Sequence, residues 1–520
     1  MATTQASNGA AAASAEEIVV TCPADGRVVG TVPVQTRAQV EAVAAELRAA
    51  QPEWRALGFA GRAKWMNRWR DWFLDNEQRL NELVQAESGK STADAGAELP
   101  IVYEIINYYV KHAPEFLAPE HPKPHSPMMA MKRLELQYHP HQLLGLITPW
   151  NGPIGNPMLD LPAAMIAGCA AITKPSEFTP LTWREVVRGW REDVGAPPIL
   201  ACVTGAGETG AAVVDVVDMV HFTGSARTGR KIAARCGERL IPVSLELGGK
   251  DPMIVCADAD LERAANAAVW GGLTNSGQIC ISVERVYAEA PIYDQFVNLV
   301  TEKTKAIRQG NDAGQGIKVD IGAMATEDQV GIVERHVNDA LAHGARALTG
   351  GKRGAGDGLY YEPTVLVDVD HSMACMREET FGPTIPIMKV ADQTEAVRLA
   401  NDSLYGLSAS VWTKDRARGE KIAYALDAGA VNINNVFINL FQLPLPHHGW
   451  GESGIGGRLG GAEGIRKYCK VKAVVSEKAA AKTEIHWYPA SNAKAAIQAK
   501  GARMMGARDW RRRLGLKGRA

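Results

Sequence analysis

No apolar run in this chain is long enough to cross a bilayer, which excludes an α-helical membrane protein. The N-terminus lacks the basic region and apolar segment of a secretory signal. Eight cysteines are scattered, with no Cys-x-x-Cys and no metal-ligand spacing to His. That pattern predicts free thiols in a reducing compartment and no metal site. A net charge of −1 provides no field to hold nucleic acid. Together these absences leave a cytoplasmic globular protein as the expectation. The 520 residues allow two or three domains.

Residues 1–15 are mostly Ala, Ser, Thr and Gly without apolar period, and read as a disordered tail. Helices are predicted over 39–50 and 61–85. In the second, Trp65, Trp69, Trp72, Phe73, Leu80, Leu83 and Val84 recur mostly at three- and four-residue steps, a core stripe. Residues 119–127 are rich in Pro and His and break any helix; an extended segment follows at 131–139. Short apolar runs at 143–148, 170–173, 199–204, 219–222 and 243–246 then alternate with helix-like segments. The alternation predicts a parallel sheet flanked by helices. Ligands on such sheets gather at the C-terminal strand ends. Further runs at 253–255, 365–367 and 408–412 suggest a second α/β domain.

Two stretches carry candidate chemistry. Leu245-Glu246-Leu247-Gly248-Gly249-Lys250 places a carboxylate at the end of an apolar run, before paired glycines. Asn275-Ser276-Gly277-Gln278-Ile279-Cys280-Ile281 places a thiol between apolar neighbours, 34 residues beyond Glu246. A cysteine nucleophile needs deprotonation, and release of a covalent acyl group needs a base to activate water. Each residue alone also fits a purely structural role: a small buried hydrophobe and a turn cap.

Gly205-Ala206-Gly207-Glu208-Thr209-Gly210 fits GxGxxG after an apolar run. No acidic residue clearly ends a following strand about twenty positions on, so it reads as a tight turn rather than a dinucleotide fingerprint. Phe222-Thr223-Gly224-Ser225 is the better phosphate candidate: a strand enters a Gly turn and then a helix N-terminus. Ser225 as a helix cap uses the same geometry, and both uses stay open.

With Pro149-Trp150-Asn151, Lys174-Pro175-Ser176-Glu177 and Glu379-Thr380-Phe381-Gly382-Pro383 added, the chain from about residue 21 to 475 resembles the NAD(P)-dependent aldehyde dehydrogenase superfamily. The resemblance implies an α/β fold: a variant Rossmann cofactor domain (16–121 and 141–250), an α/β catalytic domain (251–453) and a β-arm for oligomerisation (122–140 and 454–475). It implies Cys280 as nucleophile, Glu246 as general base and Asn151 as oxyanion donor. It further implies a cofactor site from Thr148, Pro149, Trp150, Lys174, Glu177, Phe222, Thr223, Gly224, Ser225, Leu247, Gly248, Glu379 and Phe381. Lys174 and Glu177 would hold the adenosine ribose. The Glu177 charge would oppose a 2′-phosphate, so NAD is expected over NADP.

Departures from the family pattern bear on substrate. Gly152 and Gly155 stand where relatives often carry bulk, and His447 replaces a frequent Phe. With Ile279 and Ile281 these are the expected substrate-lining residues, giving a wide, polar mouth for a bulky or aromatic aldehyde. A small anionic semialdehyde, or esterase activity without cofactor, is the alternative. The second glutamate that some relatives carry is not evident near Arg458-Leu459. A homodimer or homotetramer is implied. The extension 476–520 carries eleven Lys or Arg against three Asp or Glu. It suits a subunit interface near the active-site mouth, or a membrane surface.

Overall fold

The computed structural model describes residues 16–126 and 129–516. The expected tail, 1–15, lies outside the described residues. Contacts divide the chain into two units: Met1–Phe116 with Pro140–Tyr468, and Leu117–His139 with Cys469–Ala520.

The first unit holds two large sheets. One has six strands in the order Gly454–Ile455, Val243–Glu246, Met219–Thr223, Leu143–Ile147, Ala170–Lys174, Leu200–Cys202. All neighbours pair in parallel except the antiparallel edge Gly454–Ile455. Leu143–Ile147, Ala170–Lys174 and Met219–Thr223 are buried at every position, which explains their largely apolar sequences in place of alternation. The other sheet has seven strands: Arg346–Thr349, Thr364–Val367, Thr384–Val390, Val283–Glu289, Asp251–Val255, Ser408–Trp412, Ala430–Ile433. Its side chains alternate between two cores. Met253, Val255, Val365 and Val367 enter one, and Ile254 and Leu366 the other.

Helices cover these faces. Arg37–Ala56 starts at a capping box between Thr36 and Gln39 and buries Val40, Ala44, Leu47, Gln51 and Trp54. The helix expected over 61–85 is two, Gly58–Asp75 and Glu77–Ser88, broken at Asn76. Asn76 leaves helical geometry and its side chain caps the carbonyl of Trp72, competing with the helix ladder. The aromatic stripe is core: Trp69 meets Trp190 edge-on at 5.1 Å.

Residues 454–468, expected in the arm, belong to the first unit. Gly454 pairs with Glu246 and Ile455 with Leu245, so backbone hydrogen bonds tie this stretch to the sheet carrying Glu246. In the second unit, Lys132–Pro140 and Cys469–Glu477 form a two-stranded sheet. The basic extension contains a helix, Asn492–Gly506, with no buried residue. Among the described residues no helix is long and apolar enough to cross a membrane, and no His, Cys, Asp and Glu group has the makings of a metal site.

Lys250 is fully buried and its ammonium lies 2.6 Å from the Glu284 carboxylate. Removing one partner strands a buried charge. Lys250→Met is expected to cost about 3–5 kcal/mol, read as a lower midpoint in denaturant unfolding. Loss of the largely exposed Lys303–Glu262 pair through Glu262→Ala should hardly move that midpoint.

Candidate active site

The segment carrying Cys280 takes a conformation that L residues resist. Asn275, Ser276 and Gly277 have φ of 54°, 55° and 73° in succession. Side chains from several directions hold it. The Asn275 N–H donates to Asp94, and its amide donates to the carbonyls of Asn151 and Gln278. The Ser276 hydroxyl donates to the Gly322 carbonyl. Gln278 bridges the Asn275 carbonyl and the Ala325 N–H. At Gly277 an added Cβ would sit 2.0 Å from the Gly382 carbonyl oxygen, so the two backbones touch there.

Glu246 ends its strand and is buried. Its Oε2 lies 3.0 Å from an Arg458 nitrogen, an ion pair by distance, although neither carboxylate oxygen receives a well-directed hydrogen bond. Burial raises the Glu246 carboxyl against the pull of Arg458. Burial and the Glu246 charge also raise the Cys280 thiol well above its ordinary value. Cys280 therefore rests as a thiol, on the same pocket as the Glu246 carboxyl.

Asn151 follows the strand Leu143–Ile147 and donates an amide hydrogen to the Gln278 carbonyl at 2.9 Å. Its oxygen accepts from Asn156 at 2.9 Å. The helix Gly155–Ala167 that carries Asn156 is anchored by Glu98, which accepts the Ile154 and Gly155 N–H groups at its N-terminus.

A pocket of about 260 Å³ joins these groups. The proposed catalytic and cofactor residues line it, except Thr148, Lys174, Glu177 and Phe222. Those four lie at or beside the ends of neighbouring strands: the Thr148 N–H donates to the Lys174 carbonyl, and the Lys174 ammonium meets Glu177 at 3.1 Å. Ser225 caps the helix Ala226–Arg239 by accepting the Thr228 N–H. Gly248 faces Glu379 so closely that a Cβ would lie 2.2 Å from its carboxylate, and Glu379 accepts the Gly249 N–H. Burial and Glu284 push the Glu379 carboxyl up to about 8. Glu284 in turn accepts the Thr380 and Phe381 N–H groups and so sets the loop that brings Phe381 edge-on to Trp150, 5.6 Å away.

None of the expected substrate-lining residues borders this pocket. The missing Cβ of Gly155 points at Glu98 and that of Gly152 at the Asn156 amide, so neither glycine opens space there for a substrate. Ile281 is part of the catalytic-domain core and Ile279 packs against it. His447 is 2 % exposed, pressed to about 3 by burial and Arg458, and offers no polar edge to solvent. Beside the GxGxxG turn, the Thr204 N–H donates to the Gln35 side chain and its hydroxyl to the Pro33 carbonyl, while the Thr209 hydroxyl donates to the Gln35 carbonyl.

Asn156, Gln329 and Ile332 also line the pocket and were not nominated from sequence. Asp160 and Arg458, buried behind it, were not nominated either. Their one signal is Asp160, the only acid in the helix segment GNPMLDLPAAMIA.

The profile described as "Aldehyde dehydrogenase family" matches residues 10–474. The chain belongs to the aldehyde dehydrogenase family. It is thus an aldehyde-oxidising oxidoreductase on an NAD(P)-binding α/β fold. It is 39% identical over 458 residues to a Mycobacterium tuberculosis (strain ATCC 25618 / H37Rv) protein provisionally named succinate-semialdehyde dehydrogenase (NADP+) 2, covering 87% of each chain. It is 37% identical over 479 residues to a 4,4'-diapolycopene aldehyde oxidase of Methylomonas sp, covering 91% of this chain and 88% of that one. Among solved structures, an NAD-dependent aldehyde dehydrogenase from Sinorhizobium meliloti superposes with a TM-score of 0.86 at 32% identity, over 91% of this chain and 93% of that one.

Within this aldehyde dehydrogenase the contact at Gly277 leaves no room for a side chain. Gly277→Ala is expected to displace the Cys280 segment and lower kcat/KM by about 10²-fold, the scale of a 1 Å misplacement. Initial rates with a saturating dinucleotide measure this, and binding of the reduced dinucleotide should persist.

Proposed function

We propose that this enzyme oxidises an uncharged, bulky aldehyde to its carboxylic acid with NAD, through a thiohemiacetal and a thioester on Cys280. The observation that carries the proposal is one pocket lined by the Cys280 thiol, the Glu246 carboxyl and the Asn151 amide. Cys280 transfers its proton to Glu246 and attacks the carbonyl carbon. The Asn151 amide and the Cys280 backbone N–H hold the resulting alkoxide; loss of one such donor typically costs about 10²–10³ in rate. A bound nicotinamide dinucleotide supplies the hydride acceptor. Glu246 must shed its proton before it takes one from the water that hydrolyses the thioester.

The residues present fit a dinucleotide. The N–H groups at the start of Ala226–Arg239 suit a pyrophosphate. The Gly248 backbone beside the Glu379 carboxylate forms a cradle that any Cβ would fill. Glu177 at the strand end supports NAD, whereas the mycobacterial relative is named for NADP+. An uncharged substrate is favoured because the pocket is lined by Glu246 and Glu379 and by no Lys or Arg. A small anionic semialdehyde would find no Lys or Arg lining the pocket to pair with its carboxylate. Its support is the mycobacterial relative's name, as the carotenoid relative's name supports a bulky substrate. Free thiols at every described cysteine support a cytoplasmic setting. An isolated two-stranded sheet is marginal on its own, so the Lys132–Pro140 and Cys469–Glu477 pair supports a homodimer or homotetramer built on that arm.

Cys280→Ala should bind the dinucleotide and lose turnover. Glu246→Gln should give a slowed burst of reduced dinucleotide, because Cys280 has lost its proton acceptor, and then stall, with acylated Cys280 visible by mass spectrometry; unchanged steady-state hydrolysis would remove Glu246 from the base role. The ratio of kcat/KM for NAD over NADP should exceed one and narrow in Glu177→Ser. A wild type that prefers NADP refutes the role given to Glu177. In an aldehyde panel, bulky neutral substrates should outrank succinic semialdehyde in kcat/KM.

A further inference from the structure

Behind the pocket lies a set of buried charges that the chemistry above does not use. Arg458, in the strand Gly457–Leu459, is 3 % exposed and divides its guanidinium among three partners. One terminal nitrogen lies 3.0 Å from Glu246 Oε2. The other donates to Asn156 Oδ1 at 3.0 Å. Nε donates to Asp160 Oδ2 at 3.2 Å. Asp160 is also held by Lys467, His221 and the Tyr468 hydroxyl.

We propose that Arg458 is a positioning residue for both halves of the reaction, pairing with the Glu246 carboxylate and, through Asn156, turning the Asn151 amide toward the substrate oxygen. The proposal rests on the function proposed above. The oxygen and nitrogen of a side-chain amide have nearly the same shape, so something must choose between them. A guanidinium only donates, which makes Asn156 present its oxygen to Arg458. Asn156 then presents its nitrogen to Asn151 Oδ1. That interaction occupies the Asn151 oxygen and leaves its two N–H bonds: one reaches the Gln278 carbonyl, and the other is free for the pocket. The donor sense of the oxyanion site is thus set two residues away.

Charge follows the same path. Burial alone would raise the Asp160 carboxyl, but His221, Lys467 and Arg458 hold it well below its usual range. His221 is pressed down to about 4 by its own burial and is neutral near pH 7. With Lys467 balancing Asp160, the Arg458 charge remains for the one negative charge that Glu246 and Cys280 share. The charged or titratable groups around Glu246 are Cys280 on its loop, Arg458 on its strand, Asp160 on the helix Gly155–Ala167 and, farther off, Glu379. Arg458 is the sole cation among these.

The test uses the full-length enzyme with its dinucleotide and one good aldehyde substrate. It compares wild type, Arg458→Met, Arg458→Lys and Asn156→Leu in the burst rate and in the pH profile of steady-state kcat under deacylation control. Arg458→Met should move the acid limb of kcat upward by at least about one pH unit, because Glu246 has lost its cation, and slow the burst by about tenfold or more. Arg458→Lys should return the acid limb toward wild type while the burst stays slow, since the ammonium keeps the charge but lacks the fork that spans Glu246 and Asn156. Asn156→Leu should slow the burst and leave the acid limb in place. An unmoved limb in Arg458→Met, or a wild-type burst in Asn156→Leu, overturns the proposal. If Arg458→Met does not fold, Arg458→Lys and Asn156→Leu decide: a burst in either that matches wild type overturns it. Glu246→Gln serves as the control. If that variant deacylates normally, the base assignment itself has failed, independently of Arg458.

Discussion

The active site depends on a turn that the backbone resists. Two non-glycine residues and Gly277, all at positive φ, precede the nucleophile, and such conformations cost of order 1–3 kcal/mol each at non-glycine positions. They persist because Asp94, Asn151, Gln278 and Gly322 each take or give a hydrogen bond there. Asp94, Asn151 and Gly322 come from elements far apart in the chain. The thiol is placed by the surrounding fold rather than by its own loop, and the strain sits where the chemistry needs a fixed geometry.

A second constraint is electrostatic. Glu246, Cys280, Asp160, Arg458, Lys467 and Glu379 crowd into a region of low accessibility, where unpaired charge is expensive. The arrangement tolerates Glu246 because the Arg458 cation lies beside it. The same crowding raises Glu246, Cys280 and Glu379 from their ordinary values. Three acids shifted in one pocket are what a site requires when it must pass a proton from a thiol and later take one from water.

The parallel sheet provides the frame. Trp150 and Asn151, Lys174, Gly224 and Ser225, and Glu246 all lie at or just beyond the C-terminal ends of strands in one sheet. The antiparallel edge Gly454–Ile455 closes that sheet, and Arg458 follows three residues later. Residues late in the chain thereby reach a base set in place by the sheet's middle strands.

Sequence alone was enough for the apolar runs of the six-stranded sheet, the core stripe around Trp69, and the family motifs holding Cys280, Glu246 and Asn151, because strand burial, helical period and short motifs are local properties. The acid missing after the GxGxxG turn was equally legible in the sequence. What only tertiary structure decided was the direction in which side chains face. Gly155 looked like open substrate space and instead abuts Glu98; His447 and Ile281 looked like mouth residues and are buried. Residues 454–468 looked like the arm and are tied to the Glu246 strand. Asp160 and Arg458 lie 298 positions apart and form one buried pair. Neither has a local pattern that announces the other, because their pairing exists only once the helix and the late strand pack together behind the pocket.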